Sequence, residues 1–175
     1  MTSDLRHGAA TDVGRRDTNQ DFYLANPPLF AVADGMGGHR AGDVAARTAV
    51  EVLEAEVRKD HGALMEAVKS ANRVIHERAA SNPDLRDMGT TVTAMVVGDS
   101  SARIVHVGDS RAYLLRGGAL SQVTQDHSVV ARLVREGQIR PEDADHHPQR
   151  SIVERAVGVG PDVDVDVHTV GVEAG

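Results

Sequence analysis

The chain has 175 residues, 41% of them hydrophobic but only 2% aromatic, and 26% charged, so one domain with a core of Val, Ala, Leu, Ile and Met is expected. Its formal net charge of −7 argues against a nucleic-acid partner, whose footprint is basic, and is compatible with carboxylates that hold cations. The absence of Cys excludes disulfides, thiolate metal sites and a Cys nucleophile; no apolar run approaches the roughly 18 residues of a membrane span, "MTSDLRHGAA" shows no apolar leader, and a cytoplasmic location is expected.

In chain order, "GRRDTNQD" at 14–21 reads as a polar loop before the first strand. "LFAVA" at 29–33 reads as a short buried strand that ends at Asp34. The spacing of Val44, Thr48, Ala49, Val52, Leu53 and Val57 predicts a helix over 42–59. Leu64, Val68, Ala71, Ile75 and Ala79 predict a second over 63–80, ended by "SNPD". "TTVTAMVVG", "ARIVHVG", "RAYLLR" and "ALSQVT" are short, β-branched and punctuated by Gly, Asp and Ser, as in an antiparallel meander. "DHSVVARLVREGQ" returns to helical spacing, and "RPEDADHHPQRS" reads as a Pro-started turn and polar loop. "DVDVDVHTVGV" alternates strictly, as a strand does. Two adjacent helices followed by a run of strands indicate α+β rather than a doubly wound fold.

"FAVADGMGGHRAG" carries the first chemistry. A carboxylate at the end of a strand stands on a rigid scaffold. Gly35 lets its carbonyl point toward the same place, and Gly37 and Gly38 allow close backbone approach. Asp and carbonyl oxygens suit Mg²⁺, Mn²⁺ or Ca²⁺; the same residues also fit a Gly-rich turn with Asp34 as a helix N-cap. In "HVGDSRAYL", Asp109 sits in what is also ordinary hairpin chemistry, and Ser110 lacks the G-x-S-x-G frame of a hydrolase nucleophile. Asp162, Asp164, Asp166 and Glu173 match EF-hand positions, but Val167 stands where that loop needs Gly, so a Ca²⁺ site is rejected in favour of a half-buried strand. His146 and His147 lie in a polar loop and are read as solvated.

Taken together, "GRRDTNQD", "VADGMGGHRAG", "MGTTVTAMVV", "VHVGDSRAYLLR", "LSQVTQDHSVVARLVREGQI" and "HPQRSIVERAVG" resemble, in the same order, the PP2C (PPM) family of metal-dependent protein Ser/Thr phosphatases, closest to its bacterial branch. The resemblance implies a four-layer α-β-β-α fold, an antiparallel β-sandwich flanked by helices. It implies two Mn²⁺ or Mg²⁺ ions, with a third in bacterial members, and an activated water that attacks phosphorus in line without a covalent phospho-enzyme. By resemblance, Asp34 bridges the two metals, the Gly35 carbonyl and Asp21 belong to the metal site, and Asp109 holds the third ion. Arg16 binds phosphate with its bidentate fork, and His39 assists proton transfer or orients a water. Residues 128–150 resemble a mobile flap that helps choose substrates. Phosphorylated proteins, and a partner Ser/Thr kinase, are the expected partners.

The family pattern continues past a strand like 163–170 to a Ser-Asp-Gly-Leu strand and a final Asp-Asn strand, each supplying a metal carboxylate. Neither motif occurs in residues 1–175, which are therefore expected to form a single C-terminally incomplete phosphatase domain. The alternative reading is a catalytically impaired binding or regulatory module of phosphatase ancestry.

Overall fold

A computed structural model describes residues 5–14, 17–37 and 41–173. Two strands open it, β1 (Asp21–Asn26) and β2 (Leu29–Met36), followed by two helices, α1 (Ala41–Val57) and α2 (Leu64–Ser81). Then come β3 (Gly89–Thr90), β4 (Val92–Val97), β5 (Ser101–Val107), β6 (Tyr113–Arg116) and β7 (Ala119–Gln122). Helix α3 (Val129–Arg135) and a 3₁₀ turn at Pro141–His146 precede β8 (Asp166–Gly171). The main sheet is antiparallel, in the order β1-β2-β4-β5-β8, with β3 added to β2; β6 and β7 form a separate hairpin. This is the expected α+β class.

Strand alternation gives the main sheet two unlike faces. Leu29, Ala31 and Ala33 of β2, with Val92, Ala94, Val105 and Val107, point to one side and are buried. There they meet α1 through Ala45, Ala46, Ala49 and Leu53, and with α2 they form the core. The small side chains let α1 approach closely. Gly35 and Gly42 carry this to its limit: a Cβ on Gly35 would lie 2.1 Å from the Gly42 carbonyl oxygen. The helices follow the predicted spacing. Leu64, Val68, Ala71 and Ile75 of α2 are all fully buried.

On the other face lie Tyr23 of β1, Phe30 and Val32 of β2, Met95 of β4, and Ile104 of β5. Between them and the β6–β7 hairpin is a cavity of about 870 Å³. Among the described residues the hairpin is all that stands for the second sheet of the expected sandwich.

"DFYLAN", for which the sequence pattern gives no element, forms β1 and pairs with β2 across the Pro27–Pro28 turn. Two expectations are corrected. Asp34 does not end its strand, because Gly35 and Met36 continue it by pairing with Thr90 and Gly89. The alternating "DVDVDV" run is strand only from Asp166. In that register Val165 would fall opposite Val107, the last residue of β5, so Asp162 to Asp164 lie beyond its end and have no ladder to join. Among the described residues no helix is long and apolar enough to cross a membrane.

Candidate metal centre

Asp21 and Asp34 stand directly opposite each other across the β1–β2 ladder. Paired residues project to the same face, here the one away from the helices, and like charges in that relation repel. The backbone around both is firmly held. The Asp21 N–H donates to Asn19 Oδ1 at 3.0 Å, and the Gly35 N–H donates to the Gln20 carbonyl at 3.1 Å. The Asp34 N–H donates to Thr91 Oγ1 at 2.9 Å, and its carbonyl accepts from the Thr91 N–H at 2.9 Å. Gly35 is thus required by packing against α1, a reason independent of what its carbonyl faces.

Thr91 ties this corner to a second one. Its hydroxyl lies 2.8 Å from that of Ser110, and its side chain packs on Gly108, where an added Cβ would come within 2.5 Å of Thr91 Cγ2. Gly108 also has φ of 112°, in the region that favours glycine. The turn Gly108–Asp109–Ser110 is therefore pressed against the residue that holds Asp34. Burial, and then the charges of Asp34 and Asp126, push the Asp109 carboxyl above the ordinary carboxylate range. The structure so brings Asp21, Asp34, Gly35 and Asp109 to one end of the sheet. Arg16 and His39 lie outside the described residues.

Around these carboxylates is a polar network whose members the sequence motifs did not single out. His106, fully buried on β5, sits between Thr93 and Asp166 in the sheet register. Its Nε2–H donates to the Gln125 carbonyl at 3.1 Å, and its Nδ1 lies 2.9 Å from the Thr93 hydroxyl. Burial and the neighbouring His127 lower its pKa to about 4, so it is neutral near pH 7. The His127 ring lies 4.8 Å from that of His106. Against the cost of burial, hydrogen bonds from His127 and Arg155 hold Asp166 below the usual carboxylate range. Asp126, next to His127, receives a bidentate bond from Arg111, with Nε–Oδ1 at 3.0 Å and Nη2–Oδ2 at 2.6 Å. The signal for these residues was their place inside "VHVGDSR" and "TQDHS"; for Asp166 it was only strand alternation.

The sequence profile described as protein phosphatase 2C matches residues 12–155. The chain belongs to the protein phosphatase 2C family. It is 43% identical, over 90% of its length, to the serine/threonine protein phosphatase PstP of Mycobacterium tuberculosis, of which it spans 32%. It is 44% identical, over 91% of its length, to the serine/threonine phosphatase stp of Listeria welshimeri, of which it spans 69%. Among solved structures, the PstP catalytic domain in complex with two manganese ions superposes with a TM-score of 0.82 at 38% identity, covering 91% of this chain and 69% of that one.

The donors are the ones a hard cation wants. Asp21 and Asp34 are opposed in the ladder, the Asp109 carboxyl is pushed up by burial and then by the charges of Asp34 and Asp126, and all offer oxygen, which suits Mn²⁺ or Mg²⁺ over a soft metal. Among the described residues no group of three or more His, Asp or Glu side chains is drawn together closely enough to hold an ion.

Proposed function

We propose that this chain is the metal-binding portion of a protein Ser/Thr phosphatase that hydrolyses phosphoserine and phosphothreonine in proteins. The observation that carries the reading is the Asp21–Asp34 pair, set face to face in register beside Asp109. Like charges opposed in a ladder repel, and a bound cation would offset that repulsion. In this reading Asp21, Asp34 and the Gly35 carbonyl hold the catalytic Mn²⁺ or Mg²⁺ pair, and Asp109 a third, weaker ion. When bound, such ions make a water nucleophilic and neutralise charge on the phosphoryl oxygens. The protein's own residues supply the rest. Asp34 fixes the position of the cations because its backbone is bonded on both sides. Arg16 receives the phosphoryl group, and His39 assists proton transfer or orients a water. The segment 128–150 is proposed to choose substrates. A partner Ser/Thr kinase, using cytoplasmic ATP, would supply the phosphoproteins.

Calorimetry with Mn²⁺ and hydrolysis of a phosphothreonine peptide test this together. Asp34→Asn is expected to lower both Mn²⁺ affinity and turnover by at least about a hundredfold. Mn²⁺ binding that is absent, or indifferent to Asp34→Asn, would falsify the reading. A second reading, a phosphopeptide-binding module without turnover, is favoured by the lack of a gathered three-carboxylate group among the described residues. Peptide binding with no phosphate release in the presence of Mn²⁺ would select it.

A further inference from the structure

Gly108 sets the backbone that presents Asp109, and one residue holds both of its polar groups. The Gly108 N–H donates to His127 Nδ1 at 3.1 Å, and the Gly108 carbonyl accepts from the His127 N–H at 2.7 Å. A ring nitrogen that accepts leaves its partner as the N–H. His127 Nε2–H therefore donates to Asp166 Oδ2, at 3.1 Å. Asp166 Oδ1 in turn accepts from Arg155 Nη1 at 2.7 Å. Asp166 thus accepts from both Arg155 and His127, and His127 accepts from Gly108, so each link fixes the orientation of the next; Arg155 Nη1 also lies 3.1 Å from His127 Nε2. His127 is 7% exposed, so no water competes freely for these bonds. The same residue stands at the neck of the segment leading into α3. Its carbonyl accepts from the Glu154 N–H at 2.8 Å, and Ser128 bridges to Val153.

We propose that His127, oriented by Asp166 and Arg155, is a positioning residue that fixes the Gly108–Asp109 turn and so sets the cation affinity of Asp109. The inference rests on the metal-dependent reading above and adds to it residues that touch neither metal nor phosphate. Outer partners of this kind govern how well a ligand is aimed, and their loss weakens metal binding although every ligand remains.

Two substitutions separate the halves of the ring. In His127→Asn the amide oxygen lies near the place of Nδ1 and can still accept from Gly108. In His127→Gln the amide lies near Nε2, toward Asp166, and Gly108 loses its acceptor. Amide exchange at Gly108, followed by NMR without metal, is expected to quicken by about tenfold or more in His127→Gln and to stay near the unmodified rate in His127→Asn. Mn²⁺ affinity is expected to fall about tenfold in His127→Gln and to be largely rescued in His127→Asn. In an Asp109→Ala background, His127→Gln should change Mn²⁺ affinity by less than about twofold. An equal loss with and without Asp109, or no loss at all, overturns the proposal, because a merely structural role would act on both backgrounds alike. Should His127→Gln melt before it can be measured, Asp166→Ala must lower affinity in the same direction. Absence of Mn²⁺ binding in the unmodified chain would sink the phosphatase reading and this inference together; unchanged affinity in His127→Gln sinks this inference alone.

Discussion

The two faces of the main sheet are made of the same strands and do opposite things. On the helix side, alternate residues of β2 and β4 are Ala31, Ala33 and Ala94, nearly or fully buried against Ala45, Ala46 and Ala49 of α1. On the other side the same strands carry Val32, 46% exposed, Thr93, and the carboxylate of Asp34. Small apolar residues allow close helix packing, and close packing fixes the backbone. A fixed backbone is what allows two carboxylates to be held opposite each other instead of relaxing apart. The helix face is therefore part of the candidate site, although none of its side chains reaches it.

Gly35→Ala attacks that dependence most directly and carries the largest expected effect. The new methyl meets the Gly42 carbonyl and the Gln20 carbonyl, both backbone. Neither can swing aside, so α1 must move away from β2. A loss of about 3 kcal/mol in urea unfolding is expected. A loss below about 0.5 kcal/mol would mean that the two faces are not coupled through this contact.

The helix face was the legible one. Helical spacing in "GDVAARTAVEVLEAEVRK" and "ALMEAVKSANRVIHERAA" is strong, and most of the predicted positions are buried, though Val44, Val52 and Ala79 are only half-buried and the buried Ala45, Ala46 and Val50 lie outside the predicted face. The other face was legible only in part. Asp34, Asp21 and Asp109 were visible through the family resemblance, but the strand that carries Asp21 was not. "DFYLAN" is an edge strand with Asp21, Tyr23 and Asn26 exposed, and only Phe22 and Leu24 mark its inner side. The Pro27–Pro28 turn between "DFYLAN" and "LFAVAD" was the signal that could have revealed it. The His127–Asp166 contact spans 39 residues and depends on β8 pairing with β5 in one register, which no local pattern encodes. Tertiary pairing, not propensity, decides such a site.

The next effect comes from the buried histidine on the site face. His106 is neutral in the fold, facing Thr93, the Gln125 carbonyl, His127 and Asp166. The unfolded chain takes up a proton on this residue near the ordinary 6.5, the folded chain only near about 4. Between those values the unfolded state binds more protons, so stability rises with pH and is lost as pH falls through the window. The His106 share of that loss is expected to reach about 3 kcal/mol by pH 4. It is read as the difference between the pH–stability profiles of the unmodified chain and His106→Gln. Parallel profiles would show that this face does not hold the histidine neutral.

Thr91→Val removes the link between the two corners while keeping the volume. Thr91 is 1% exposed, so the Asp34 N–H would lose its acceptor in a place water does not reach. About 1.5 kcal/mol of stability should be lost, with faster amide exchange at Asp34 as the local signature. If exchange at Asp34 is unchanged, strand pairing alone holds the carboxylate and the Thr91 bridge is incidental.

The smallest effect is expected where the second face meets the hairpin. Leu115 and Leu120 are cross-strand partners in β6–β7 and are 68% and 66% exposed. A leucine that has left little water behind has little apolar burial to lose, since the transfer free energy scales with the area removed from water. Leu115→Ser is expected to change stability by less than about 0.5 kcal/mol in urea unfolding, several times less than Gly35→Ala on the other side. A loss above about 1.5 kcal/mol would mean that something buries the hairpin in solution, and the two faces would then be equally packed. The contrast between them would shrink to one of chemistry: alanines that bring a helix close, and carboxylates that wait for a cation.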